Sequence, residues 1–269
     1  MTGDLRRLLA DGRGADVVPT PSGDGAPPLP LIPEAGQRGS RRWSALDQIE
    51  KALVIAPHPD DEVLGVGGTI ARLARQGCDV QVCIVTRGHA SRIPEALTLQ
   101  VEREGAAAHR KLGVSQTHFC DLPAAELDQV PHAEINERVG DIISQTQPDA
   151  LFLPFIGDIH LDHQMAFLSA MVAARPRHDR APSLILAYET LSETNWLAPG
   201  VTPAFIPNFF VDISDTLQAK LDAFAAYRSQ VRPFPDERSL EALHALAIMR
   251  GASVFRRAAE AFMLVRQIA

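Results

Sequence analysis

Basic residues, long apolar runs and paired cysteines are all scarce in this chain, and each shortage removes a class of function. Lys and Arg number 26 against 33 Asp and Glu, for a formal net charge of -7. Sequence-independent phosphate binding rests on clustered Lys and Arg, so no nucleic-acid partner is expected. No stretch approaches the roughly 20 apolar residues that cross a bilayer, and no membrane span is expected. Arg6 and Arg7 precede only Leu8-Leu9-Ala10 before Asp11 and Gly12, too short an apolar segment for a secretory signal. Three cysteines, Cys78, Cys83 and Cys120, are an odd number without metal-ligand spacing and read as free thiols. These absences together point to a soluble protein of a reducing cytoplasm. There is no internal repeat. Gly65-Val66-Gly67-Gly68 lacks the G-x-G-x-x-G spacing of a dinucleotide turn and reads better as close packing of a helix on a sheet.

What is present divides the chain in two. Residues 1–45 hold Pro19, Pro21, Pro27, Pro28, Pro30 and Pro33 among glycines and polar residues, a composition that predicts an extended or disordered arm. Residues 46–269 form the second part, within the size of a single α/β unit. From residue 51 short apolar runs alternate with amphipathic stretches, as βαβ units require. Strands are predicted at 52–56, 79–85, 117–120, 150–154, 184–188 and 208–212. Helices are predicted at 65–76, 94–112, 132–146, 163–174, 214–229, 238–250 and 256–266. The fold class is α/β, a Rossmann-like three-layer αβα arrangement with a mainly parallel sheet.

Two clusters carry the chemistry. His58-Pro59-Asp60-Asp61-Glu62 follows the apolar run 52–56, and His160-Leu161-Asp162-His163 follows the run 150–155. The spacing of His58 and Asp61 brings both side chains to one side of a first helical turn and leaves Asp60 free for proton transfer. A bland alternative exists for each. Acidic residues suit a helix start, and Asp162 suits an N-cap. A histidine just before a helix N-terminus gains nothing from the dipole, and a ligand role explains it. Ligands in open parallel sheets gather at the carboxyl ends of strands where the strand order reverses. A strand order such as 3-2-1-4-5 would set the first strand beside the fourth and unite His58, Asp61 and His163 around one ion. Arg87, ending the second strand, reads equally as a substrate contact or a structural ion pair. Trp196, in a loop rich in Pro and Gly, reads equally as core or as a platform for a sugar face.

These residues resemble the PIG-L/LmbE-like superfamily of zinc-dependent N-acetylglucosaminyl deacetylases, whose signature is a strand ending in His-Pro-Asp-Asp-Glu and a later His-x-Asp-His. Thr86-Arg87-Gly88 and Leu112-Gly113-Val114 echo further family features, and the likeness runs from about residue 50 to 265. The resemblance implies that His58, Asp61 and His163 hold one Zn2+ per chain, that Asp60 is the general base, and that His160, protonated, stabilises the oxyanion or acts as acid. It implies that Asp162 orients His160 or a ligand from behind. Some members carry a Tyr where this chain has Asp158, so Asp158 is expected to meet a sugar hydroxyl or the product ammonium instead. The implied partner is a small molecule or glycoconjugate bearing an N-acetylated amino sugar. Two imidazoles and a carboxylate also suit Fe2+. Two rival functions stand beside this one: hydrolysis of another amide, such as a thiol conjugate, and non-catalytic binding of a sugar or nucleotide. Neither the aglycone nor the oligomeric state has a signature in the sequence.

Overall fold

The computed structural model describes residues 45–88, 93–196, 198 and 200–269. The arm expected over residues 1–45 lies outside the described residues apart from the backbone of Ala45. A 7-stranded sheet runs in the order β3-β2-β1-β4-β5-β7-β6, built from β1 (Lys51–Ala56), β2 (Asp79–Arg87), β3 (Gln116–Pro123), β4 (Ala150–Pro154), β5 (Leu184–Tyr188), β6 (Phe209–Asp212) and β7 (Ala259–Gln267). The first five strands pair in parallel, and β7 runs antiparallel between β5 and β6. The expected 3-2-1-4-5 core is therefore present, with an antiparallel extension.

Helices cover both faces, as central parallel strands require. Val54, Val82, Phe152 and Leu186 belong to one buried cluster with residues of α1 (Asp61–Arg75), α2 (Glu95–Leu112), α5 (Leu217–Phe224) and α6 (Leu240–Ala252). Leu53, Ile55, Val85 and Leu151 pack on the other face with α3 (His132–Thr146) and α4 (Leu161–Ala173). The alternation of neighbours such as Val54 and Ile55 between the two cores follows from the strand period of two. Gly65 lets α1 press on β5, since a Cβ there would stand 2.2 Å from Tyr188 Cδ2.

The larger departures from expectation lie in two helices and at the C-terminal strand. The first helix begins at Asp61, not at 65, so Asp61 and Glu62 form its first turn. The helix expected over 214–229 is only Leu217–Phe224. Residues 256–266, read as helical, form most of β7 instead. Ala, Glu, Met, Leu and Arg favour helix locally, but the open edges of β5 and β6 offer backbone partners from Leu184 to Gln267 and from Phe209 to Phe262. Glu260, only 3% exposed, fixes this strand against α1 by accepting the N–H groups of Gly68 (2.8 Å) and Thr69 (2.7 Å). Lys220 of α5 donates to Glu260 (2.6 Å) and to the Leu64 carbonyl (2.8 Å), which compensates the buried charge. Among the described residues no helix is long and apolar enough to cross a membrane, and the three cysteines are free.

Candidate active site

All the side chains of the two clusters stand at the carboxyl end of the sheet, at the switch between β1 and β4. His58 to Asp60 leave β1 and lead into α1, and Asp60 is the residue before the helix, with φ 113 and ψ -23. Such a backbone costs a non-glycine residue about 1–3 kcal/mol and persists only where neighbours over-determine it. Here they do. The Asp60 N–H donates to Glu62 Oε2 (3.0 Å), while Glu62 Oε1 accepts from Tyr227 (2.7 Å) and pairs with His109 Nε2 (3.0 Å). The Asp60 carbonyl accepts from Val63 and Leu64, so the strained residue also starts the helix.

His163, fully buried in the first turn of α4, pairs through Nδ1 with Asp158 Oδ2 at 2.8 Å. Its Nε2 is buried without a hydrogen-bond partner and faces Asp61 Oδ2 at 3.2 Å. His58 Nδ1 stands 3.4 Å from the same oxygen. Ligand atoms that share one ion at about 2 Å lie roughly 3–3.5 Å apart, so His58, Asp61 and His163 fit a metal, and the orphaned nitrogen gains the partner it lacks. A second possible group, His58, His160 and Asp162, uses a carboxylate that is already engaged. Asp162 accepts from the backbone N–H groups of Ala125 (2.7 Å) and Leu127 (3.2 Å) and pairs with His58 Nε2 (2.9 Å). It orients the His58 ring from behind, a usual arrangement for a metal-binding imidazole.

The charges follow this geometry. Burial opposes ionisation of Asp61, but His163 and His58 outweigh it and hold the carboxyl well below the usual range. Burial likewise opposes a charged His163, yet Asp61 and Asp158 keep it up at about 10 in the metal-free protein. His58 is raised, since Asp162 and Asp61 overcome its burial. His160 is different: burial and then the charge of His58 lower it. Its Nδ1 also accepts the Asp162 N–H at 3.1 Å as the cap of α4. That bond leaves Nε2 as the ring nitrogen able to donate, and the cap is His160 and not Asp162.

Asp158 is fully buried and bonded to His163 Nδ1 and to Thr194 Oγ1 (2.6 Å). Arg87 lines the cavity but is paired with Glu95 (3.0 Å) and Glu102 (2.7 Å). Trp196 is 61% exposed, not core, and its indole N–H donates to Glu237 at about 2.9 Å, outside the cavity lining.

That cavity, of about 340 Å3, is lined by His58, Asp60, Asp61, His160 and two groups that sequence reasoning missed, Glu193 and Arg238. An Arg238 guanidinium nitrogen contacts Asp60 Oδ2, and burial lowers the Arg238 pKa. Burial pushes the Glu193 carboxyl up to about 7, with His163 holding it back. Neither lies near a motif, and their only signal is the fold that returns residues 193 and 238 to the strand ends.

Known proteins can be set against this geometry. The profile of the family described as PIG-L, GlcNAc-PI de-N-acetylase, matches residues 53–174. The diacetylchitobiose deacetylase of Thermococcus kodakarensis is 31% identical over 205 residues, covering 71% of this chain and 73% of that protein. A 1D-myo-inositol 2-acetamido-2-deoxy-alpha-D-glucopyranoside deacetylase of Mycobacteroides abscessus is 29% identical, covering 74% of this chain and 88% of its own length. In three dimensions the chain is similar to the N,N'-diacetylchitobiose deacetylase of Pyrococcus horikoshii, solved with its inhibitor MPG, with a TM-score of 0.66 and 26% identity over 82% of this chain and 85% of the other.

Proposed function

The chain belongs to the PIG-L family, and from that premise we propose that it is a zinc-dependent hydrolase that removes the acetyl group from an N-acetylglucosamine-type amino sugar or its conjugate. One observation carries the reading. An unpartnered buried nitrogen, His163 Nε2, shares Asp61 Oδ2 with His58, and a carboxylate outside that set, Asp60, stands in the same cavity wall. Deacetylases among the relatives support the reaction class.

His58, Asp61 and His163 would hold the ion. A zinc there supplies Lewis acidity, which lowers the pKa of water and polarises an amide carbonyl. Asp60 takes the proton of the water that attacks the acetamide carbon, and its clamped backbone and the Arg238 contact fix the direction of its carboxylate. As the C–O bond forms, charge gathers on the acetamide oxygen, which accepts a hydrogen bond from His160 Nε2–H without taking its proton. When the C–N bond breaks the amine needs a proton, which Asp60 returns. The products are acetate and the free amino sugar. Glu193, poised near neutrality, is a second proton source in the same wall.

The test is a screen of N-acetylated amino sugars with zinc-loaded protein, reading free amine and acetate together. Stoichiometric amine and acetate from an acetamido sugar are expected. Release from non-sugar acetamides alone would overturn the sugar assignment.

A further inference from the structure

The cavity has a second side that the deacetylation chemistry does not use. Leu97 and Val101, one helical turn apart on α2, and Ile93, just before that helix, all line the cavity with Phe119 of β3. Two of them stay wet: Leu97 is 41% and Phe119 46% exposed. The exposure of Phe119 follows the alternation of its strand, but a phenyl ring is an unusual occupant of an outward position. β3 turns His118, Cys120 and Leu122 inward, which places Phe119 outward on an edge strand, between positions held by Thr117 and Asp121 on that same side. Ile159 and Leu161, on either side of His160 in sequence, are also exposed, at 50% and 53%. An apolar surface so close to reacting groups signals recognition more than packing.

Among the described residues, both arginines that line this cavity are already engaged by carboxylates. Arg87 is paired with Glu95 and Glu102, and Arg238 is engaged by Asp60. A phosphate or carboxylate on the substrate would have to displace one of these carboxylates and would meet Glu102 and Glu193 in the same lining.

We propose that Ile93, Leu97, Val101 and Phe119 form a subsite for an apolar, uncharged aglycone attached to the acetamido sugar. The inference rests on the deacetylase reading above and names the kind of conjugate this chain prefers. Hydrophobic contact with the leaving portion acts before chemistry and in the transition state alike, so it lowers KM and leaves kcat near its value.

The experiment compares the methyl and hexyl glycosides of N-acetylglucosamine on zinc-loaded protein, below the concentration at which the hexyl glycoside associates. Each methylene that is fully buried is worth roughly fourfold. A hexyl preference of at least about tenfold in kcat/KM, expressed in KM, is therefore expected. In the double variant Leu97→Gln, Phe119→Ser the preference should fall towards one, whereas Met249→Gln, at an exposed position on α6 outside the cavity, should keep it. Equal kcat/KM for the two glycosides, or a preference that survives the double variant, overturns the subsite alone. Absence of turnover on both glycosides overturns the deacetylase reading and the subsite with it.

Discussion

At the scale of single residues, protons and metal compete for the same atoms. In the metal-free protein His163 is held at about 10, so at pH 7 it carries a proton that zinc must displace. The sign is fixed by the shift. A raised imidazole pKa contributes stability to the metal-free fold below about 6.5, and this is lost as pH rises through about 10. Zinc affinity therefore runs the other way, rising roughly tenfold per pH unit for each proton released. Calorimetric titration of zinc at pH 7 in two buffers of different ionisation enthalpy should give a release of at least one proton. No buffer dependence would contradict the role of His163. The meeting of His58, Asp61 and His163 was legible because these residues sit in short motifs with a strand before each. The surroundings of His160 were not, since its lowered pKa follows from burial and the charge of His58, and its Nδ1 is taken by the Asp162 N–H. Asp158 likewise showed nothing in sequence of its link to Thr194, 36 residues away.

At the scale of elements, the geometry of α1 depends on a buried pair that joins it to α5 and β7. Lys220 and Glu260 are each 3% exposed, and Glu260 binds the backbone of Gly68 and Thr69 within α1. Lys220→Met would leave that carboxylate buried without its cation, a change that typically costs about 3–5 kcal/mol. Denaturant unfolding of the variant should show a loss on that scale, with partial recovery when Glu260→Gln is added. A loss below about 1 kcal/mol would show that the pair is not what fixes the strand. This is also where sequence reading failed. The local preference of residues 259–267 for helix gives no hint that Glu260 meets a lysine 40 residues before it and an edge left open by β5.

At the scale of the whole molecule, the sheet explains why two motifs a hundred residues apart make one site. β1 and β4 pair from Ala52 with Ala150 to Val54 with Phe152, and the loops beyond them carry His58 and His160. That much followed from the βαβ pattern and the rule that ligands gather where strand order reverses. The far side of the cavity did not follow, because Glu193, Arg238, Leu97 and Phe119 come from four separate segments that only the folded chain assembles. In the proposed mechanism neighbours divide the labour: Asp61 holds metal and Asp60 moves a proton. Bound zinc per chain and acetate release, measured on the same samples of wild type, His163→Ala and Asp60→Asn, test it most directly. About one zinc with turnover is expected in wild type, neither in His163→Ala, and zinc with a rate lower by roughly two to four decades in Asp60→Asn. Full zinc in His163→Ala, or undiminished turnover in Asp60→Asn, would contradict it.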